Sequence, residues 1–142
     1  MDLEPQKEHR TLVGKCLCGT VRYVVEGPFL YAGYCHCSRC RAASGSAFSA
    51  FAGIARDRLS VTDGVDSITS YAMNPDVSLC GRCGSPLFSL VRDGQFFHVA
   101  MGTLTGDPGI RPTFHIFVGS KASWHEITDS LPQYAELPPA EP

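Results

Sequence analysis

Short runs of β-branched and aromatic residues recur along the chain, each broken by glycine, proline or aspartate, and no stretch keeps the 3.6-residue period of a long amphipathic helix. Residues 20–26 (TVRYVVE) alternate in part and stop at Gly27-Pro28, which predicts a strand. Residues 46–54 (SAFSAFAGI), lined with small side chains and with Phe48 and Phe51, predict another. Residues 59–62 and 67–71 read as shorter strands separated by Asp63-Gly64. Residues 86–92 and 95–101 predict a hairpin around Asp93-Gly94, because Asp-Gly supplies two residues that tolerate positive φ. Residues 112–118 (PTFHIFV) alternate as a further strand. Residues 41–45 suit one helical turn, with Ser38 as its cap and Gly45 as its stop. The polar start and the proline-rich end lack periodicity. The expectation is therefore a mainly β domain over residues 12–138, between flexible tails at 1–11 and 139–142.

Length and charge narrow the field of functions. A chain of 142 residues suffices for one domain with its own core. A net charge of −2 and a pI near 6.2 argue against a nucleic-acid partner, since general binders carry basic surfaces with a pI above about 9. No apolar run approaches the roughly 18 residues of a membrane span, and residues 1–10 do not read as a signal peptide. The expected compartment is the cytoplasm, where thiols stay reduced.

The seven cysteines then dominate the reading. They fall in three clusters, Cys16 and Cys18, Cys35, Cys37 and Cys40, and Cys80 and Cys83, with none left alone. Close C-x-C and C-x-x-C spacings aim sulfurs at one ion, whereas a disulfide usually joins distant segments, and an odd count cannot pair completely. Glycines flank both outer pairs, at Gly14 and Gly19 and at Gly81 and Gly84, where tight turns are needed. The preferred division is a closed site of Cys16, Cys18, Cys80 and Cys83 and a three-cysteine site with room for a fourth ligand. Two alternatives remain open. Cys37 and Cys40 could join Cys80 and Cys83 as a zinc ribbon, although 39 intervening residues exceed the usual ~15–20. The trio could also be a second structural site completed by His36 or another residue.

These motifs resemble the glutathione-dependent formaldehyde-activating (GFA) family, which includes centromere protein V. The resemblance lies in Gly14-Lys15-Cys16-Leu17-Cys18-Gly19, Cys35-His36-Cys37-Ser38-Arg39-Cys40-Arg41 and Cys80-Gly81-Arg82-Cys83-Gly84-Ser85. It continues through Gly102-Thr103-Leu104, Pro112, His115-Ile116-Phe117, Lys121-Ala122-Ser123-Trp124 and Asp129-Ser130-Leu131-Pro132-Gln133-Tyr134, and spans roughly residues 13–138. It implies a zinc-pinned β-tent fold of small antiparallel sheets with two zinc ions. One ion would be structural, on Cys16, Cys18, Cys80 and Cys83; the other would serve catalysis, on Cys35, Cys37 and Cys40. The implied activity is that of a carbon–sulfur lyase class enzyme that joins formaldehyde to glutathione, giving S-hydroxymethylglutathione. The partners would be small thiols and aldehydes, with glutathione as co-substrate. A non-catalytic zinc scaffold of the same fold is the alternative.

Other residues are less informative. Arg39 and Arg41 flank the trio and could capture a substrate carboxylate, since guanidinium pairs bidentately with carboxylates; solvated arginines would look the same. Gly45 and Ser46 could offer backbone N–H groups to an anion. His36 should point away from the neighbouring sulfurs. His98 and His115 sit in strand-like runs where packing is the simpler role, His125 follows Trp124, and His9 lies in the expected tail. Phe48, Phe51, Phe88, Phe96, Phe97, Phe114, Phe117 and Trp124 are most simply core residues.

Overall fold

A computed structural model describes residues 10–139. His9 and most of the two expected tails lie outside the described residues, while Thr11 already belongs to the first strand. Ten strands form: β1 (Thr11–Lys15), β2 (Arg22–Glu26), β3 (Tyr31–Cys35), β4 (Ser49–Ala55), β5 (Leu59–Asp63), β6 (Ile68–Tyr71), β7 (Asn74–Cys80), β8 (Pro86–Val91), β9 (Phe96–Ala100) and β10 (His115–Ile116). One short helix, α1 (Ser38–Ser44), stands between β3 and β4. The fold is mainly β, as expected. A three-stranded sheet has the order β1-β2-β5, and a seven-stranded sheet has the order β10-β3-β4-β9-β8-β7-β6. Neighbours are antiparallel except β10 and β3, which run parallel.

Alternation in the small sheet sets its inner face. β1 buries Leu12 and β2 buries Tyr23 and Val25 while their neighbours turn outward. These meet Ala32, Ala52, Ile54, Leu87, Phe88 and Val99 from the large sheet in the principal core, which also takes in Cys16 and Cys80. The Tyr23 ring packs edge-on against Phe88 at 5.4 Å between centroids and its hydroxyl meets Thr103 Oγ1. Burial pushes that phenol up to about 12. The centre of β4 is buried throughout, from Phe51 to Ile54. Ala52 and Ile54 join the principal core; Phe51 turns the other way, into a second cluster with Cys35 and Ile116. The seven-stranded sheet thus has two occupied faces.

Several elements depart from the sequence reading. The helix cap is Cys37, whose Sγ accepts from the Cys40 N–H at 3.3 Å, and not Ser38; Gly45 ends the helix in the left-handed region at φ 65°. The hairpin forms, but its positive-φ residues begin one step earlier than expected, with Arg92 (54°) and Asp93 (57°) ahead of Gly94 (81°), and the Gly94 N–H donates to Val91 O. β7 was not expected, because Pro75 and Asp76 interrupt its apolar pattern. Of residues 112–118 only His115–Ile116 form a strand, parallel to β3.

On the second face, Tyr31 lies over Gly53, where a Cβ would fall 2.4 Å from the ring, and Tyr31 Oη bonds His98 Nε2 at 2.8 Å. Gly53→Ala should therefore destabilise the protein by about 1–3 kcal/mol in urea unfolding, whereas Gly102→Ala, which meets nothing within 4 Å, should stay near wild type.

Candidate metal centre

The outer cysteine pairs converge. Cys16 directly follows β1 and Cys18 sits in the turn behind it, which Gly19 completes at φ 80° with its N–H on Cys16 O. Cys80 ends β7 and Cys83 sits in the next turn, closed by Gly84 at φ 82° with its N–H on Cys80 O at 2.8 Å. The four sulfurs lie within 4.8 Å of one another, with Cys16–Cys18 at 3.7 Å and Cys18–Cys80 at 3.9 Å. A disulfide needs about 2.05 Å; a tetrahedron of Zn–S bonds near 2.3 Å has edges of about 3.8 Å. The spacing is that of four ligands around one ion. Four soft donors in a closed tetrahedral set fit zinc.

Hydrogen-bond donors and hydroxyls surround these sulfurs. Val21 N–H donates to Cys16 Sγ at 3.3 Å and Arg82 N–H to Cys80 Sγ at 3.4 Å. Thr20 Oγ1 lies 3.2 Å from Cys18 Sγ and lowers its pKa. Ser85 Oγ lies 3.2 Å from Cys83 Sγ and takes it down to about 5, while accepting from Leu17 N–H at 2.9 Å. Ser85 therefore stitches one cysteine turn to the other. Cys16 and Cys80 are buried and Cys18 is exposed.

Cys35, Cys37 and Cys40 form the second group, also with sulfurs within 4.8 Å of one another. Cys35 ends β3, Cys37 caps α1, and Cys40 lies one turn into that helix. A hydrogen bond from the Cys35 thiol lowers Cys40 to about 6 and raises Cys35. Cys35 is buried while Cys37 and Cys40 are half-exposed, which leaves one side of the group accessible. Phe51, Ile116 and the half-buried Tyr31, Phe114, Phe117 and Tyr134 pack around it. Three thiols with an open side match a zinc site that keeps a position for an exchangeable ligand.

The remaining site candidates separate. Arg39 is exposed; Arg41 is half-buried, with a sealed Nε that has no hydrogen-bond partner. Gly45 and Ser46 both donate to Arg41 O, so their N–H groups cap the helix and are not free for an anion. His36 is not among the sulfur cluster's metal-ligating groups; it is fully buried and its Nε2 lies 2.8 Å from His115 Nδ1. His115 is also buried, and its Nε2 lies 3.1 Å from both carboxylate oxygens of Asp129. Desolvation, then the neighbouring His115, depresses His36 to about 4. His98 stacks on Phe51 at 4.5 Å and is also depressed to about 4, first by burial. Asp129 and Tyr134 stand out in the sequence only through the resemblance motif at 129–134, which gives neither a role, and neither fits a periodic pattern.

The profile of a family described as glutathione-dependent formaldehyde-activating enzyme matches residues 11–120. A crystal structure of a Rhodobacter sphaeroides protein, solved as a Northeast Structural Genomics target, is similar at a TM-score of 0.57 and 27% identity, covering 67% of this chain and 89% of that one. No curated protein matches significantly.

A structural zinc ion held by the closed group would contribute on the order of 10 kcal/mol at neutral pH, so removing one of its cysteines should be far more damaging than removing one from the trio. Cys80→Ser should abolish the cooperative thermal transition followed by circular dichroism, and Cys37→Ser should retain it.

Proposed function

The chain belongs to the glutathione-dependent formaldehyde-activating family, and from that membership we propose that it is a zinc-dependent enzyme of the carbon–sulfur lyase class, joining formaldehyde or a related aldehyde to a thiol such as glutathione. The observation that carries this reading is the second thiol group, three sulfurs within 4.8 Å of one another and accessible from one side. In this proposal Cys16, Cys18, Cys80 and Cys83 hold a structural zinc ion within the zinc-binding domain of residues 12–138. Cys35, Cys37 and Cys40 hold the catalytic one. Zinc on three thiolates carries a formal charge of −1 against −2 on four, so it retains more Lewis acidity to polarise a carbonyl oxygen or acidify an entering thiol.

The chain's own residues would do the rest. Cys35 anchors the group from its buried side, while Cys37 and Cys40 border the open side where the reactants meet. Phe114, Phe117 and Tyr134 limit water on that side, and holding both reactants there supplies the proximity advantage. The substrate thiol loses its proton, a sulfur–carbon bond forms at the carbonyl carbon, and the carbonyl oxygen ends as a hydroxyl. With glutathione and formaldehyde the product is S-hydroxymethylglutathione. Arg41 is the better of the two arginines for a substrate carboxylate, because it is half-buried in the helix that carries Cys40 whereas Arg39 is exposed. Reduced thiols at all seven positions suit the cytoplasm. None of the described helices is long and apolar enough to cross a membrane.

Zinc per chain on anaerobically purified protein tests the assignment. Two ions should fall to one in Cys37→Ser, with the fold preserved and thiol–aldehyde adduct formation lost. One ion in both forms would favour the scaffold reading. Arg41→Ala should raise KM for glutathione roughly tenfold, as loss of one charge-assisted pair implies, and leave KM for an uncharged thiol unchanged; Arg39→Ala should have a smaller effect.

A further inference from the structure

One buried polar cluster is left without a task by this chemistry. His36 and His115 are 0% and 3% exposed, and Asp129 reaches His115 from an exposed loop. The hydrogen bonds assign the tautomers. Asp129, held low first by the Leu131 N–H, can only accept. His115 Nε2 therefore carries that ring's proton and His115 Nδ1 presents a lone pair. His36 Nε2 then donates to it at 2.8 Å, and His36 Nδ1 is left sealed from solvent and without a partner. Tyr34 stacks on His115 at 5.0 Å and Phe48 tilts against His36 at 5.5 Å, so neither ring can turn freely.

The position of this chain in the fold gives it a purpose. His36 stands between Cys35 and Cys37, and its backbone N–H donates to Ile116 O. Its ring lies on the sheet face opposite the Cys35 thiol, which clusters with Phe51 and Ile116. His115 N–H donates to Pro132 O, and His115 O accepts from Tyr134 N–H. Tyr134 then packs in the cluster around the trio. The segment that supplies Asp129 behind the cysteines thus also supplies Tyr134 in front of them.

We propose that His36, His115 and Asp129 form a positioning relay that fixes the Cys35–Cys37 segment from behind, so that Asp129 determines how firmly the cysteine trio holds its metal ion. This rests on the reading of the trio as a metal centre. Asp129 is a positioning residue: it touches neither the sulfurs nor any reacting atom.

The test measures metal release to a chelator from the full chain, with Cys37→Ser identifying which kinetic phase belongs to the trio. Asp129→Ser keeps a short acceptor for the Leu131 N–H but cannot reach His115; Asp129 is 43% exposed on its side chain, so the fold tolerates the change. The trio phase should accelerate about tenfold or more, the range found when groups supporting metal ligands are removed. The other phase and the melting temperature should stay near wild type. Asp129→Asn, which restores an acceptor for His115, should return the slow phase. Adding His115→Phe to Asp129→Ser should cause little further acceleration, because both break the same chain. Unchanged release from the trio in Asp129→Ser, or equal acceleration of both phases with a lowered melting temperature, would overturn the relay alone. A wild-type chain that carries a single metal ion would overturn the trio reading, and the relay with it.

Discussion

Four thiol groups cannot be crowded into a space less than 5 Å across as thiolates unless a cation offsets their charge, and this fold brings four cysteine sulfurs that close. The sulfurs of Cys16, Cys18, Cys80 and Cys83 meet there within 4.8 Å, at the end of β1 in the small sheet and the end of β7 in the large one. Cys16 and Cys80 also belong to the principal core, beside Tyr23, Leu87 and Val99. The four-cysteine group and the hydrophobic core are therefore continuous, since two of its cysteines are packed within that core. Ser85, bonded to Cys83 Sγ and accepting from Leu17 N–H, ties the two turns directly.

The cysteine trio uses the opposite face of the same sheet. β4 divides the two environments residue by residue, with Ala52 and Ile54 in the principal core and Phe51 beside Cys35. Small residues let this strand be covered from both sides. Gly33 does the same in β3, where a Cβ would fall 2.7 Å from the Phe114 ring. The aromatic walls of the trio come close to the sulfurs because backbone lies beneath those rings.

How far the sequence is legible follows from the range of each interaction. The cysteine groups announce themselves because ligand spacing is local, two or three residues apart, and the mainly β character is carried by short apolar runs. The Asp93-Gly94 signal finds the hairpin but misplaces its turn by one residue, since Arg92 also takes positive φ. β7 is hidden because cross-strand pairing with β6 and β8 overrides the poor strand propensity of Pro75 and Asp76. The pairing of His36 with His115, 79 positions apart, has no local trace. Two histidines in unrelated apolar runs look like packing until parallel pairing of β10 with β3 sets them side by side.

That parallel pairing also bears on the order in which the molecule is assembled. β3, α1 and β4 are neighbours in sequence and can come together early in synthesis, whereas β10 and the segment bearing Tyr134 emerge from the ribosome well after them. Contacts of such long sequence separation form late, because the intervening loop must be closed before any of them is gained. Cys35, Cys37 and Cys40 thus pass through synthesis without the walls that later surround them, open to oxidants. A reducing environment matters most to these three thiols during those moments, before β10 and the Tyr134 segment have docked.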